Sequence, residues 1–145
     1  MTPNTLQRIW IAEDDADDRL MIQEAFMEIE MGDGVVFFHD GQDLMQRLNG
    51  LVESQHRDGL PHLVVLDLNM PRKDGREALR EIKADVALRF IPVVILTTSK
   101  SPEDIRNAYA LGANCYITKP VTFESLLATV QAFHSFWFGV ARLPV

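Results

Sequence analysis

The stretch Leu63–Pro71, LVVLDLNMP, decides how this chain folds. Leu63 to Leu66 are apolar at every position, as in a strand buried on both faces of a sheet. Asp67 follows directly, where an ionised carboxylate is costly to desolvate. Asn69 and Pro71 then break the run. A buried strand that ends on a charge calls for a use of that charge.

Working outward, four further runs have the same character: RIWIA (8–12), VVFF (35–38), PVVIL (92–96) and CYIT (115–118). They are rich in β-branched residues and bounded by charge, Gly or Pro, which favours strands. The segments between them carry helical spacing. Leu20, Ile22, Ala25, Phe26 and Ile29 mark a first helix, and Leu44, Met45 and Leu48 a second. Asp74 is placed to cap a third, with Ala78, Leu79, Ile82 and Val86 on its apolar side. SPEDIRNAYALGAN (101–114) opens with a Ser cap and a Pro, and Gly112 closes it. Thr122 begins a last helix bearing Leu126, Leu127, Val130, Phe133, Phe136 and Trp137. NGLVESQHRDGLP (49–61), with its Gly, polar and His residues, reads as a long connection between the second helix and the third strand, with room for a helical turn. Alternating strands and helices predict an α/β fold with a doubly wound parallel sheet, whose chemistry gathers outside the carboxyl ends of the strands.

Those ends carry few residue types. Glu13, Asp14 and Asp15 follow the first strand, Asp67 the third, Thr97 to Ser99 the fourth, and Lys119–Pro120 the fifth. Acids brought together repel one another and resist desolvation unless a cation intervenes. A hard divalent ion, Mg²⁺, suits such oxygen donors. Asp14 and Asp67 are the expected direct ligands, Glu13 acts through water, and the backbone carbonyl of Asn69 completes the set. Lys119 is placed to meet an incoming anion, and the Thr97 hydroxyl can donate to the same group. A cis bond before Pro120 would fix the direction of the lysine.

Composition narrows the function classes. The chain has 145 residues, 47% of them hydrophobic, which suits one globular domain spanning 1–145. A net charge of -7 argues against a nucleic-acid partner. The single cysteine, Cys115, excludes an internal disulfide framework and fits a cytoplasmic protein. No apolar run is long enough to cross a membrane.

Together these residues resemble the receiver domain of bacterial two-component response regulators, over roughly 6–138. The resemblance rests on Glu13–Asp14, on LDLNMPRKDG around Asp67, on Thr97, and on Lys119–Pro120. It implies a flavodoxin-like (βα)5 fold with strand order 2-1-3-4-5. It implies that Asp67 accepts a phosphoryl group from a histidine kinase with Mg²⁺ bound, and that Asn69 orients the water that later removes it. Thr97 and Tyr116 would form the switch, and Ser99 stands where the family varies its phosphate lifetime. Such a protein is a phosphoacceptor with only slow self-phosphorylation and autodephosphorylation, and not an enzyme in the usual sense.

The 49–61 segment resembles that of single-domain receivers paired with phytochrome-type kinases. The aromatic end, AFHSFWFGVARLP (132–144), suggests a homodimer through the fourth helix, fifth strand, fifth helix and the tail from about 133 to 145. Phe133, Phe136, Trp137 and Phe138 are its expected contacts. With nothing beyond residue 145, the expected output is protein contact or onward phosphotransfer. Two rivals remain: a haloacid-dehalogenase-like phosphatase, whose second Asp is replaced here by Asn69, and a receiver acting as an unphosphorylated scaffold.

Overall fold

The computed structural model describes residues 7–144. The expected limits at residues 1, 6 and 145 lie outside them. Five parallel strands form one sheet in the order β2-β1-β3-β4-β5: β1 Ile9–Ala12, β2 Val35–Phe38, β3 Leu63–Leu66, β4 Val93–Thr97 and β5 Cys115–Thr118. The helices are α1 Ala16–Glu28, α2 Gly41–Glu53, α3 Gly75–Ala84, α4 Pro102–Ala110 and α5 Phe123–His134. The expected fold and strand order are those observed.

Strand alternation sorts the core onto two faces. Trp10, Val64, Leu66, Val93 and Ile95 pack with Leu44, Leu48, Leu79, Ile82 and Ala108 of α2, α3 and α4. Ile9, Ile11, Val65, Val94 and Leu96 pack with Ile22, Phe26, Leu126, Val130 and Phe133 of α1 and α5. Each helix begins on a side chain that accepts a hydrogen bond from a backbone N–H in the first turn: Asp15, Asp40, Asp74, Ser101 and Thr122.

Several expectations change. Residues 49–53 belong to α2, and the connection after it holds a single 3-10 turn at Arg57–Gly59. Past Gly50, Leu51 and Val52 continue the apolar side of the helix and pack against the core. Leu20 is exposed, and so is Val86, which lies beyond the end of α3. Phe133 is a core residue, packed edge-on to Phe26 with ring centroids 6.3 Å apart. It is therefore not available as a dimer contact. Past α5 the backbone widens into a π-helical turn, Ser135–Val140, in which Ala141 N–H donates to Phe136 O over 2.7 Å. The extra residue per turn shifts the faces. Trp137 and Phe138 lean on the α1/α5 core, while Phe136 and Val140 stay exposed.

The strand order fixes where a site can lie. From β1 the chain moves outward to β2, then returns past β1 to β3, so the connections leaving β1 and β3 diverge and open a crevice at their carboxyl ends. Glu13 and Asp14 follow β1 and Asp67 follows β3, beside that crevice.

Candidate functional site

Asp67 is held at the end of β3 by its backbone. Its N–H donates to Ala12 O over 3.2 Å, which ties it to the neighbouring strand that leads into Glu13. The segment after it folds back at once: Gly75 N–H donates to Leu68 O over 3.1 Å, and a Cβ on Gly75 would overlap the carbonyl oxygen of Asp67. Only glycine permits that approach. Asn69 is exposed, and its N–H donates to Asp67 Oδ1 over 3.3 Å.

The loop between β3 and α3 is also clasped from the side. Arg72, at a left-handed φ of 62°, donates to Asp40 Oδ2 over 2.6 Å and to Asp43 Oδ1 over 2.5 Å. Gly41 N–H donates to Lys73 O over 2.9 Å. These contacts tie the site loop to the start of α2, and no local sequence pattern foretold them.

Glu13, Asp14 and Asp67 each offer a carboxylate oxygen, all within 4.8 Å of one another. Glu13 and Asp67 are buried and Asp14 is exposed. The Arg19 guanidinium donates to the carbonyls of Glu13 (2.8 Å) and Asp14 (2.9 Å), fixing the acidic turn from α1. Asp15 stands apart as the cap of α1.

Lys119 reaches this cluster from the end of β5. Its ammonium is 2.8 Å from Asp67 Oδ2 and 2.8 Å from Asp18 Oδ2, and it also contacts Glu13. The peptide bond before Pro120, which the sequence left open, is trans, as is every peptide bond in the described residues. The direction of the lysine comes instead from Lys119 N–H donating to Thr97 O over 2.7 Å and from its three acidic partners. Asp18 was missed from the sequence; an acid in the first turn of a helix ordinarily only offsets the helix dipole.

Burial pushes the Glu13 carboxyl up to about 7; the Lys119 hydrogen bond opposes that rise, and the charge of Asp67 adds to it. Burial of Lys119 works against its charge, but hydrogen bonds to Asp18, Asp67 and Glu13 outweigh burial and raise its pKa. Three carboxylates share a single ammonium, so the lysine keeps its proton, while Glu13 resists ionisation chiefly because it is buried.

Thr97 closes β4. With Leu66 opposite Ile95, it stands one residue beyond the level of Asp67 on the adjacent strand. It is fully buried, and its Oγ1 is the one buried side-chain polar atom among the described residues without a hydrogen-bond partner. Such a hydroxyl is costly to leave unpaired, and an anionic oxygen would satisfy it. Tyr116 is half-buried; its hydroxyl donates to Ser99 O over 2.9 Å, and its N–H donates to Tyr109 Oη over 3.2 Å. Ser99 donates to Asp104 Oδ2 over 2.6 Å, and Arg76 reaches Asp104 Oδ1 over 3.3 Å, so α3, α4 and the loop after β4 are linked.

A set of hard, anionic oxygens with one open, exposed member suits a divalent cation better than a softer ion. Glu13 is the most deeply buried of the three acids and is also engaged by the Lys119 ammonium.

Comparison with known proteins places this architecture. The response regulator receiver domain matches residues 9–131. Response regulator Rcp1 from Synechocystis sp. is 39% identical over 138 residues, covering 94% of this chain and 92% of Rcp1. The structure of the phosphorylated cyanobacterial phytochrome response regulator RcpA superposes with a TM-score of 0.87 at 40% identity, covering 97% of this chain and 100% of that one. The Mn²⁺-bound form of Rcp1 superposes with a TM-score of 0.82 at 37% identity, covering 96% and 99%.

Proposed function

The chain belongs to the response regulator receiver domain family, and from that membership we propose that Asp67 accepts a phosphoryl group from a histidine kinase and that the phosphorylated chain signals by protein contact. The observation that carries this reading is the Lys119 ammonium 2.8 Å from Asp67 Oδ2, beside the carboxylates of Glu13 and Asp14. Family membership sets aside the haloacid-dehalogenase-like reading, which the Asn at position 69 already weakened.

In the proposed transfer, an Asp67 carboxylate oxygen forms a bond to phosphorus as the phosphorus–nitrogen bond of phosphohistidine breaks, and the imidazole leaves with that electron pair. Lys119 donates to one phosphoryl oxygen and the unpaired Thr97 hydroxyl to another. Mg²⁺ held by Asp14, Asp67 and the Asn69 carbonyl, with Glu13 acting through water, would supply charge neutralisation when bound. The Mn²⁺-bound form of Rcp1 supports a divalent ion here, since both chains share the fold. Asn69 is placed beside Asp67 to orient the water that ends the signal. Self-phosphorylation and autodephosphorylation are slow by this reading, because the site activates no leaving group of its own.

The output we propose couples Thr97 to Tyr116. Phosphorylation draws the loop after β4 inward, and the Tyr116 hydroxyl bond to Ser99 O is the contact that loop movement would strengthen or release. The face of α4, β5 and α5 changes with it, to the extent that phosphorylation favours one state. Similarity to RcpA, a phytochrome response regulator, supports a phytochrome-type kinase as the partner, and a cytoplasmic setting goes with that. No described helix is long and apolar enough to cross a membrane. A homodimer through α4, β5, α5 and the tail fits the exposure of Phe136 and Val140, with Trp137 and Phe138 framing them.

Radiolabel transfer from a phosphorylated kinase tests the assignment. Wild type takes label and Asp67→Asn does not; label on Asp67→Asn would overturn it. Sedimentation of the full chain beside one ending at Ser135 tests the dimer, and equal monomer masses would remove it.

A further inference from the structure

An ammonium has three N–H donors. In Lys119 each has a carboxylate partner: Glu13, Asp18 and Asp67. Glu13 and Asp67 come from strand ends and are nearly sealed from water, with side chains 2% and 9% exposed. Asp18 comes from the first turn of α1 and is 36% exposed. It is the partner whose release into water costs least. Asp18 also stands in the wall of a cavity of about 230 Å³, with Met21, Thr98, Lys119, Pro120 and Val121. That cavity runs up to the lysine, beside the phosphoacceptor.

We infer that Asp18 restrains phosphorylation of Asp67 by holding Lys119 and by opposing the charge of the incoming phosphoryl group. The inference rests on the phosphoacceptor reading above. A phosphoryl oxygen needs an N–H from Lys119, and Asp18 competes for it. Asp18 and Asp67 each lie 2.8 Å from the same ammonium, so negative charge arriving at Asp67 on a phosphodonor is also brought close to the Asp18 carboxylate. Both effects have the same sign. Asp18 is a positioning residue: it acts through Lys119 and touches no reacting atom.

The test uses the full chain with Mg²⁺ and acetyl phosphate. In that step an Asp67 oxygen forms the new bond to phosphorus while the bond from phosphorus to the acetate oxygen breaks, and acetate leaves with the electron pair. Asp18→Asn, which keeps hydrogen-bonding capacity and removes the charge, takes up phosphate about two- to fivefold faster, the size expected of a partly exposed ion pair. Asp18→Ser accelerates likewise, and Asp18→Glu stays near wild type. Added KCl speeds wild type more than Asp18→Asn, because salt screens the repulsion that only wild type retains; a purely structural role would not move that salt dependence. Unchanged or slower uptake by both neutral variants would overturn the inference. Asp67→Asn separates the two readings in the same assay. If it takes up phosphate, the acceptor assignment fails; if it stays blank while Asp18→Asn matches wild type, only the role of Asp18 fails.

Discussion

Two buried acids in this molecule are partnered very differently. Asp40, at the start of α2, receives the Asp43 N–H over 2.9 Å and two contacts from the Arg72 guanidinium. Burial alone would raise its pKa, but Arg72 and the backbone donors outweigh burial and hold it below the ordinary carboxylate value. Glu13, at the rim of the sheet, is as deeply buried and has its pKa raised. It shares one ammonium with Asp18 and Asp67. The clasp has donors to match its charge and serves structure. The rim has more acid than cation, an imbalance that suits the metal ion and phosphoryl group proposed for it.

The sharpest way to break the contrast is to remove the shared cation. Lys119→Ala leaves the rim acids without their ammonium and is expected to cost about 3–5 kcal/mol in urea unfolding with chelator present. Saturating Mg²⁺ should recover much of that loss; a variant as stable as wild type in chelator would mean the rim is already balanced. Wild type itself should gain stability from Mg²⁺, about 2.7 kcal/mol at roughly a hundredfold excess over its Kd. Asp14→Asn should lose most of that gain, and an equal shift in both chains would place the ion elsewhere.

The clasp predicts a smaller effect of a different kind. Asp40→Ala removes a helix cap and a partner of Arg72, and is expected to cost about 1–2 kcal/mol at neutral pH. Because the folded pKa of Asp40 lies below its ordinary 3.8, its contribution is present above that value and fades as pH falls through the lower folded one. Wild-type and Asp40→Ala unfolding curves should therefore converge in acid, and a gap that persists there would assign the stability to another cause. The smallest effect belongs to the rim. Glu13→Gln removes surplus negative charge and should change metal-free stability by no more than about 1 kcal/mol, in the stabilising direction, while weakening Mg²⁺ binding. Calorimetric Mg²⁺ titration with parallel melting curves reads both, and a large destabilisation would show that Glu13 is needed by the fold.

Much of the architecture was legible because its causes are local. Alternation of apolar runs with helical spacing, and caps such as Asp74, Ser101 and Thr122, depend on neighbours a few residues away. Asp67 and Lys119 stood out because charges at the ends of apolar strands are costly and therefore conspicuous. Asp18 did not, since the contact that gives it meaning crosses 101 residues to Lys119. Arg72 was equally silent: its partners lie 32 and 29 residues back, at the start of α2. The closeness of Gly75 to the Asp67 carbonyl is visible only once the loop folds back.

The sequence by itself determined the order of strands and helices, the rim on which polar residues collect, and the acid that ends the third strand. Tertiary structure alone decided which acids share the lysine, which glycine the loop requires, and that Phe133 faces inward while Phe136 does not. Periodicity records which side of an element avoids water, a property each residue carries with its near neighbours. Choice of partner is settled by packing across the whole chain, where a single π-helical turn or the reach of one side chain redirects the contact.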